Sequence, residues 1–457
     1  MNKNKFTKKQ KRILSGARSV SVILFVVVMV LGLVTGSLFF IRPSVSALEK
    51  RQLTAFPAFS LDGLLDGSWF ENVSLWYSDT YPGREGLMAM NNSIHNLFGL
   101  QTSEAFYGGG KADAIPDSDK TAGSSSEDDK KSTRQKFDRT QAPDTFTVTE
   151  EVQAQVMEGL LVKDGGVYGA YYFIQDSADQ YVDVLNRAAD ELDGITNVYC
   201  MLIPNNSSVM LEDSVMKGLG GSAPKQAAEY YSTLSDKVTP VPVIDALRDH
   251  KDEYLYYRTD HHWSAQGAYY AYLEWCKAKG IEPVTLEERE SHTYEPFLGS
   301  YYSELKRDDL VADSVTGYVP VGTNEITIYT GDANGTVTFD MDNMESYKGS
   351  VFNTSDGYDE YSQYLRFIGG DFGLAVIDNP KINDGTSCMV IKESYGNALI
   401  PFLVDHYDKI YVVDERYNTG KALQFCKDNK VTDLLIASNM QIAAAASIPP
   451  TLDNLLR

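Results

Sequence analysis

The chain has 457 residues, 43% hydrophobic and 23% charged, a composition that excludes a disordered or fibrous protein and suffices for one main domain with insertions. Asp and Glu number 63 against 41 Lys and Arg, a net charge of −22. So acidic a chain repels polyanions, and no nucleic-acid partner is expected.

The charge is unevenly spread. Lys3, Lys5, Lys8, Lys9, Lys11, Arg12 and Arg18 precede any acidic residue, and residues 20–41 carry no charge at all. A bilayer core requires roughly 20 apolar residues, and basic residues stay on the cytoplasmic side. Residues 1–19 therefore read as a cytoplasmic basic tail and 20–41 as a single-pass transmembrane signal-anchor in the cell membrane, with the bulk of the chain extracytoplasmic. The alternative is a cleaved signal peptide, for which Val45-Ser46-Ala47 offers a small-residue site. The apolar run exceeds the ~7–15 residues of a signal-peptide core, which favours the anchor. Without the tail, 34 basic residues face 63 acidic ones, so the exported part carries −29.

Residues 42–107 read as an extracytoplasmic stalk and the start of the domain. They hold Phe56-Pro57-Ala58-Phe59-Ser60, a helical stretch from Trp69 with aromatic residues recurring at three and four, and the run from Asp79 to Arg84. Residues 108–144 turn to Gly, Ser, Asp and Lys around Ser124-Ser125-Ser126-Glu127-Asp128-Asp129, which cannot build a core and reads as a disordered insertion.

Residues 145–457 form the main domain, where helix and strand patterns alternate. Helices are expected over 180–192, 227–237 and 264–279, with strands over 198–203, 241–244 and 254–257. Residues 296–385 change to a β pattern, read as an inserted β subregion in which 325–329 and 336–339 flank the hairpin signal Asn334-Gly335. The alternation then resumes with strands over 388–391, 409–413 and 433–437 and helices over 396–406 and 420–429; the tail after Ser438 carries no clear signal. This rhythm predicts an α/β fold, a parallel sheet flanked by helices. Cys200, Cys276, Cys388 and Cys426 show no CxxC spacing, which argues against a zinc ribbon or redox pair, and Cys200 and Cys388 sit in apolar runs as small core residues.

Histidine chemistry has few candidates, because the chain has six histidines and two of them adjoin in Thr259-Asp260-His261-His262-Trp263. In an extended segment Asp260 and His262 point to one side, where a carboxylate can fix an imidazole tautomer, and His261 points to the other. Ser264 is placed to cap the following helix, and Trp263 either packs in the core or stacks on a sugar. The nucleophile that fits this base is Ser394 in Ile391-Lys392-Glu393-Ser394-Tyr395-Gly396-Asn397, at the carboxyl end of an apolar strand, where open α/β sheets bind ligands. Taken alone, such a serine is more often a helix cap than a nucleophile; beside the Asp-x-His the nucleophile is the better reading. The Asp-His-His run has two other readings, a metal site, for which no further ligand set is evident, and a polar cluster tying a loop to a helix. No metal or other cofactor is expected.

The run from Tyr256 to Tyr269, Tyr-Tyr-Arg-Thr-Asp-His-His-Trp-Ser-Ala-Gln-Gly-Ala-Tyr, closely resembles the signature of the DHHW-motif proteins, which are similar to the alginate O-acetyltransferase group of SGNH-hydrolase-like proteins. The block from Lys392 to Leu403 resembles that family's nucleophile region, and the likeness extends through the exported chain. It implies an SGNH-hydrolase-like sheet with a permuted motif order, in which Asp260 orients, His262 is the base and Ser394 the nucleophile. Glu393 departs from the Asp expected before the serine. Asn205 and Gly370 are the nearest candidates for the oxyanion donors of that fold, although each reads better as a turn residue. The activity implied is O-acyl transfer, typically acetyl, to a cell-surface polysaccharide, with the acyl donor supplied through a membrane-bound O-acyltransferase. A glycan O-acetyl esterase and a non-catalytic glycan-binding or assembly protein are the alternatives.

Overall fold

The computed structural model describes residues 159–457, except 219–220, 233–235, 333–334 and 446–447, together with scattered positions from Arg42 to Tyr107. The expected basic tail, the transmembrane segment 20–41 and the insertion 108–144 lie outside the described residues. Among the described residues no helix is long and apolar enough to cross a membrane.

The chain divides into units of residues 1–100 and 101–457. In the first, Val45–Ser46 pairs antiparallel with Arg51–Gln52. The Arg42 guanidinium lies 3.9 Å from the centre of the Trp76 ring and donates to Tyr77 O at 3.1 Å and Thr80 Oγ1 at 2.7 Å.

The second unit opens with an antiparallel three-stranded sheet, β1 (Ala105–Tyr107), β2 (Leu160–Lys163) and β3 (Gly166–Gly169). β2 and β3 join through Asp164 and Gly165, both at positive φ (50° and 74°), the geometry a two-residue hairpin turn requires. Helix α1 (Gln175–Glu191) buries Ala178, Tyr181, Val182, Leu185, Ala188 and Ala189, a stripe at helical spacing. There follow β4 (Asn197–Ile203), α2 (Pro224–Ser232), β5 (Val238–Pro240), α3 (Ile244–Asp249) and α4 (Ala265–Lys279). Ser264 caps α4, its hydroxyl accepting from Gly267 N, and Gly280 ends it at φ 73°. β6 (Ser291–Phe297) and β7 (Asp313–Tyr318) form a small antiparallel pair beside the main sheet. The chain ends with β8 (Glu325–Gly331), β9 (Glu345–Ser350), β10 (Leu374–Asp378), β11 (Ser387–Lys392), β12 (Lys409–Val413), α5 (Ala422–Asn429), β13 (Asp433–Asn439) and α6 (Ile448–Leu455).

One eight-stranded sheet, in the order β9-β8-β10-β12-β11-β13-β4-β5, forms the centre. From β12 to β5 the strands run parallel, as the sequence rhythm implies. β10, β8 and β9 extend it with antiparallel pairing, so the sheet is mixed rather than parallel. The physical reason lies in the connections: only residues 379–386 separate β10 from β11, too few for the dozen or so residues of a helical crossover between parallel strands. Every residue of β11 and β13 is buried, and alternate side chains feed two apolar layers. Cys388 and Val390 face the layer built with Ala268, Tyr272 and Trp275 of α4, whereas Met389 and Ile391 face the layer built with α1 and α5.

Several local expectations are corrected. The hairpin expected around Asn334-Gly335 does not form a strand pair: β8 ends at Gly331 in a bulge and pairs with β9, while Val337 makes a lone bridge to Asn418. Residues 241–244 are not a strand, because the pairing with β4 is made by Val238–Pro240 and Ile244 starts α3. Residues 254–257 make a single bridge, Tyr256 to Trp263. The helix expected over 396–406 is broken into 3-10 turns at Ser394–Ala398 and Val404–His406 around a short α-turn Ile400–Leu403. The tail after Ser438 is folded, its α6 packing Leu452, Leu455 and Leu456 into the α1 layer.

Candidate active site

The Asp-His-His run sits at the tip of a narrow loop between Leu255 and Ser264. Ser264 N donates to Leu255 O at 2.8 Å and Tyr257 N to His262 O at 3.3 Å, which closes its base. Its tip is pinned by Asp313, the buried first residue of β7. The Asp313 carboxylate accepts from Arg258 N at 2.9 Å, Thr259 N at 2.7 Å and Thr259 Oγ1 at 2.5 Å, and also from Tyr254 OH. Backbone donors at a bend have no ladder partner, and this carboxylate supplies one.

Asp260 and His262 meet through a turn, not an extended strand. Asp260 Oδ1 accepts from His262 N at 3.0 Å and lies 2.6 Å from His262 Nδ1, an Asx-type turn that closes on its own imidazole. Asp260 Oδ2 accepts from Ser300 N at 2.8 Å. Gly299 permits that approach, because a Cβ there would fall 2.1 Å from Asp260 Cβ. Burial favours the protonated form of Asp260, yet the neighbouring His262 and His261, with the hydrogen bonds from His262 and Ser300, hold its carboxyl well below the usual range.

His262 Nε2 lies 2.7 Å from Ser394 Oγ. The structure thus joins Ser394, His262 and Asp260 in one continuous hydrogen-bonded chain. Ser394 stands immediately beyond β11, half-buried, and opens a 3-10 turn whose cap is Glu393, the side chain accepting from Tyr395 N at 3.1 Å. Gly396 is required by packing: a Cβ there would lie 2.5 Å from Lys392 Cβ.

The remaining expected residues take other places. Trp263, expected either to pack or to touch a sugar, is fully buried, and its indole N–H donates to Tyr395 O at 2.8 Å, so it braces the Ser394 turn from inside. Asn205 is buried, its side-chain amide donating to Gly169 O at 2.5 Å, which staples β3 to the end of β4. Gly370 sits at φ 110° in a turn after Ile368 and Gly369. Among the described residues no hydrogen bond joins Asn205 or Gly370 to Ser394 or His262. His261 does not point away from its neighbour: the bend brings the two rings to 3.8 Å, with His261 Nδ1 2.7 Å from Ser300 Oγ. Desolvation and the adjacent His262 push His261 down to about 4.

Asp260, His261 and His262 are also the one group among the described residues whose ligand atoms cluster closely enough to suggest a metal, within 4.8 Å of one another. Both ring nitrogens of His262 and both oxygens of Asp260 are already engaged, and a metal would have to displace those bonds. The donor set fits a proton relay better than an ion.

Sequence reasoning missed three contributors. Tyr364 lies flat against His262, at 3.9 Å and 11° between ring planes, and its hydroxyl donates to Ser394 O at 2.9 Å. Tyr395 OH donates to His261 O. Asp371, next to Gly370, accepts from Lys392 Nζ at 3.2 Å, Asn397 Nδ2 at 3.0 Å and Arg416 at 2.9 Å, tying its loop to both ends of the Ser394 turn. Burial opposes its ionisation, but Lys392 and Arg416 hold it below the ordinary carboxylate range. Only Glu393, one residue before the serine, left a signal in the sequence.

The sequence model of a family described as DHHW protein matches residues 49–124 and 135–413. No curated protein matches the chain. Among solved structures, a DHHW family protein from Eubacterium siraeum DSM 15702 is similar with TM-score 0.56 and 27% identity, over 66% of this chain and 96% of that one. Bacillus cereus PatB1 with a sulfonyl adduct is similar with TM-score 0.52 and 15% identity, over 62% of this chain and 95% of that one.

Proposed function

The chain belongs to the DHHW family, and on that footing we propose that it is a serine-dependent O-acyltransferase acting on a cell-surface polysaccharide, held at the membrane by residues 20–41 with its SGNH-hydrolase-like domain outside the cell. The observation that carries this reading is the unbroken relay from Ser394 Oγ through His262 to Asp260. In it the Asp260 carboxylate fixes the imidazole with its proton on Nδ1, leaving Nε2 free to accept. As Ser394 Oγ attacks the donor's acyl carbonyl, its proton passes to Nε2. The tetrahedral intermediate collapses, the bond to the donor oxygen breaks, and Nε2 returns the proton to that oxygen. The acyl group then rests on Ser394 as an ester. A sugar hydroxyl entering next gives its proton to Nε2, attacks the ester carbonyl and leaves acylated, and the returned proton restores Ser394. Water in the same position gives hydrolysis, so a simple ester serves as a test substrate.

Cytoplasmic acyl donors do not reach an external site unaided, so the donor is passed across by a membrane-bound O-acyltransferase partner. The test is turnover of p-nitrophenyl acetate by the exported region, from about residue 43, beside Ser394→Ala and His262→Ala. Loss of about 10³-fold or more in both, with circular dichroism unchanged, is expected. A Ser394→Ala protein that turns over at the wild-type rate would overturn the assignment. The sulfonyl adduct of PatB1 suggests the companion probe, a sulfonyl fluoride, with labelling expected at Ser394.

A further inference from the structure

Glu393 and Glu415 leave the carboxyl ends of neighbouring parallel strands at equivalent positions. The register of β11 on β12 sets Ile391 opposite Val413, and Lys392 Nζ lies 3.6 Å from Asp414 Oδ2, so the alignment continues past the ladder and brings Glu393 alongside Glu415. Parallel neighbours run about 4.8 Å apart, and alternation sets both glutamates on the side opposite Lys392 and Asp414. Both are buried, at 2% and 3% exposure.

Their surroundings are unequal. Glu393 accepts from Tyr395 N at 3.1 Å and from Asn439 N at 3.0 Å, with Ser394 Oγ 3.4 Å away, so its carboxylate clamps the nucleophile turn to the end of β13. Among the described residues no other residue gives either oxygen of Glu415 a hydrogen bond. The charged and titratable groups that face Glu415 are Asp414 and Arg416 on its own segment, Glu393 from β11 and Tyr181 from α1, whose hydroxyl donates to Ser438 Oγ at 3.1 Å. Two buried carboxyls side by side do not both ionise. Burial raises Glu393 as well, but N–H donors from two other residues, Tyr395 and Asn439, favour charge on it, whereas Glu415 has only its own backbone N–H. Burial, reinforced by Asp414 against the opposing Arg416, pushes Glu415 up to about 8.

We propose that Glu415 is a positioning residue for Ser394: as a neutral acid it leaves Glu393 the sole carboxylate at the nucleophile turn, and its ionisation loosens that turn. The proposal rests on Ser394 being the nucleophile. When Glu415 gives up its proton, a second charge appears beside Glu393, and repulsion competes with the hold on Tyr395 N and Asn439 N. The sign is fixed by the direction of the shift: the folded-state value lies above the unfolded ~4.3. The stabilisation is therefore complete at low pH and lost as pH rises through about 8.

The full chain, purified in detergent, is assayed from pH 6 to 9.5 for p-nitrophenyl acetate turnover, corrected for spontaneous hydrolysis, and for thermal unfolding, beside Glu415→Gln. The wild type is expected to lose about tenfold in turnover over roughly one pH unit above its midpoint near 8. Glu415→Gln, neutral at every pH, extends its plateau past pH 9 and removes the fall in unfolding temperature that the wild type shows as pH rises from 6 to about 8, where it levels off. A Gln variant that keeps the wild-type alkaline midpoint in turnover overturns the role, as does one in which only the unfolding profile flattens. Wild-type protein with neither turnover nor sulfonyl labelling at Ser394 instead overturns the reading of the nucleophile itself.

Discussion

The smallest unit that gives the site its geometry is a three-residue turn, in which Asp260 takes both the amide and the Nδ1 of His262. Replacing Asp260 by Asn presents an amide that can hold the ring in the wrong tautomer, and kcat is expected to fall about 10³–10⁴-fold with little change in KM, measurable in the p-nitrophenyl acetate assay. Tyr364 acts on the same ring from its face. Tyr364→Leu removes both the stacked plane and the hydroxyl on Ser394 O, and about a tenfold loss in kcat is expected; Tyr364→Phe, which keeps the plane, recovers most of it. Asp260, His262 and Ser394 were legible in the sequence because each lies in a short run whose residue types suit one chemistry. Tyr364, Gly299 and Ser300 were not, since a tyrosine in a short 3-10 turn and a Gly-Ser pair at the start of a short helix carry no local mark of the ring or carboxylate they will meet.

At the scale of elements, the loop that presents the imidazole is held by a strand far along the chain. Asp313→Ala would strip four donors of their acceptor, those of Tyr254, Arg258 and Thr259, and about 2–4 kcal/mol of stability is expected to go with them, read by urea unfolding. The loss should exceed that of an Ala substitution at exposed Asp384, whose carboxylate serves only its own turn. The strands of the sheet centre were readable, because apolar residues buried on both faces leave continuous apolar runs such as 388–391 and 434–437. β9 was not readable: Glu345-Ser-Tyr-Lys-Gly-Ser350 is mostly exposed and its sequence looks like a loop. The Asn-Gly signal at 334–335 drew attention to the wrong partner for β8, because a local turn preference was outweighed by a pairing across a longer connection.

The whole molecule carries its own pH response away from the site. His406 sits against Tyr272, whose hydroxyl accepts from Val284 N and donates to His406 Nε2 at 2.6 Å, an arrangement that requires the ring nitrogen unprotonated. Desolvation, partly offset by Asp405, pushes this imidazole down to about 4, against ~6.5 in an unfolded chain. The unfolded state therefore takes up the proton first. The contribution to stability is whole above about pH 6.5 and is lost as pH falls toward 4. Comparing wild type with His406→Gln cancels the other carboxyls, and the stability gap between them is expected to change by about 2 kcal/mol between pH 7.5 and 4.5, against the wild type in acid. A gap that stays constant would show that the Tyr272 contact does not depend on the charge of the ring.

The place of β11 in the sheet has a consequence for how the polypeptide is made. Both of its neighbours, β12 and β13, are later in the chain. A nascent chain leaving the ribosome amino end first therefore displays its histidine loop long before anything can hold its serine. The proposed site is complete only once β13 has been read. A stop codon at position 433 would spare Asp260, His262 and Ser394, yet it would strip β11 of one flank and Glu393 of the Asn439 amide it grips. Such a late nonsense mutation should behave genetically as a full loss of function.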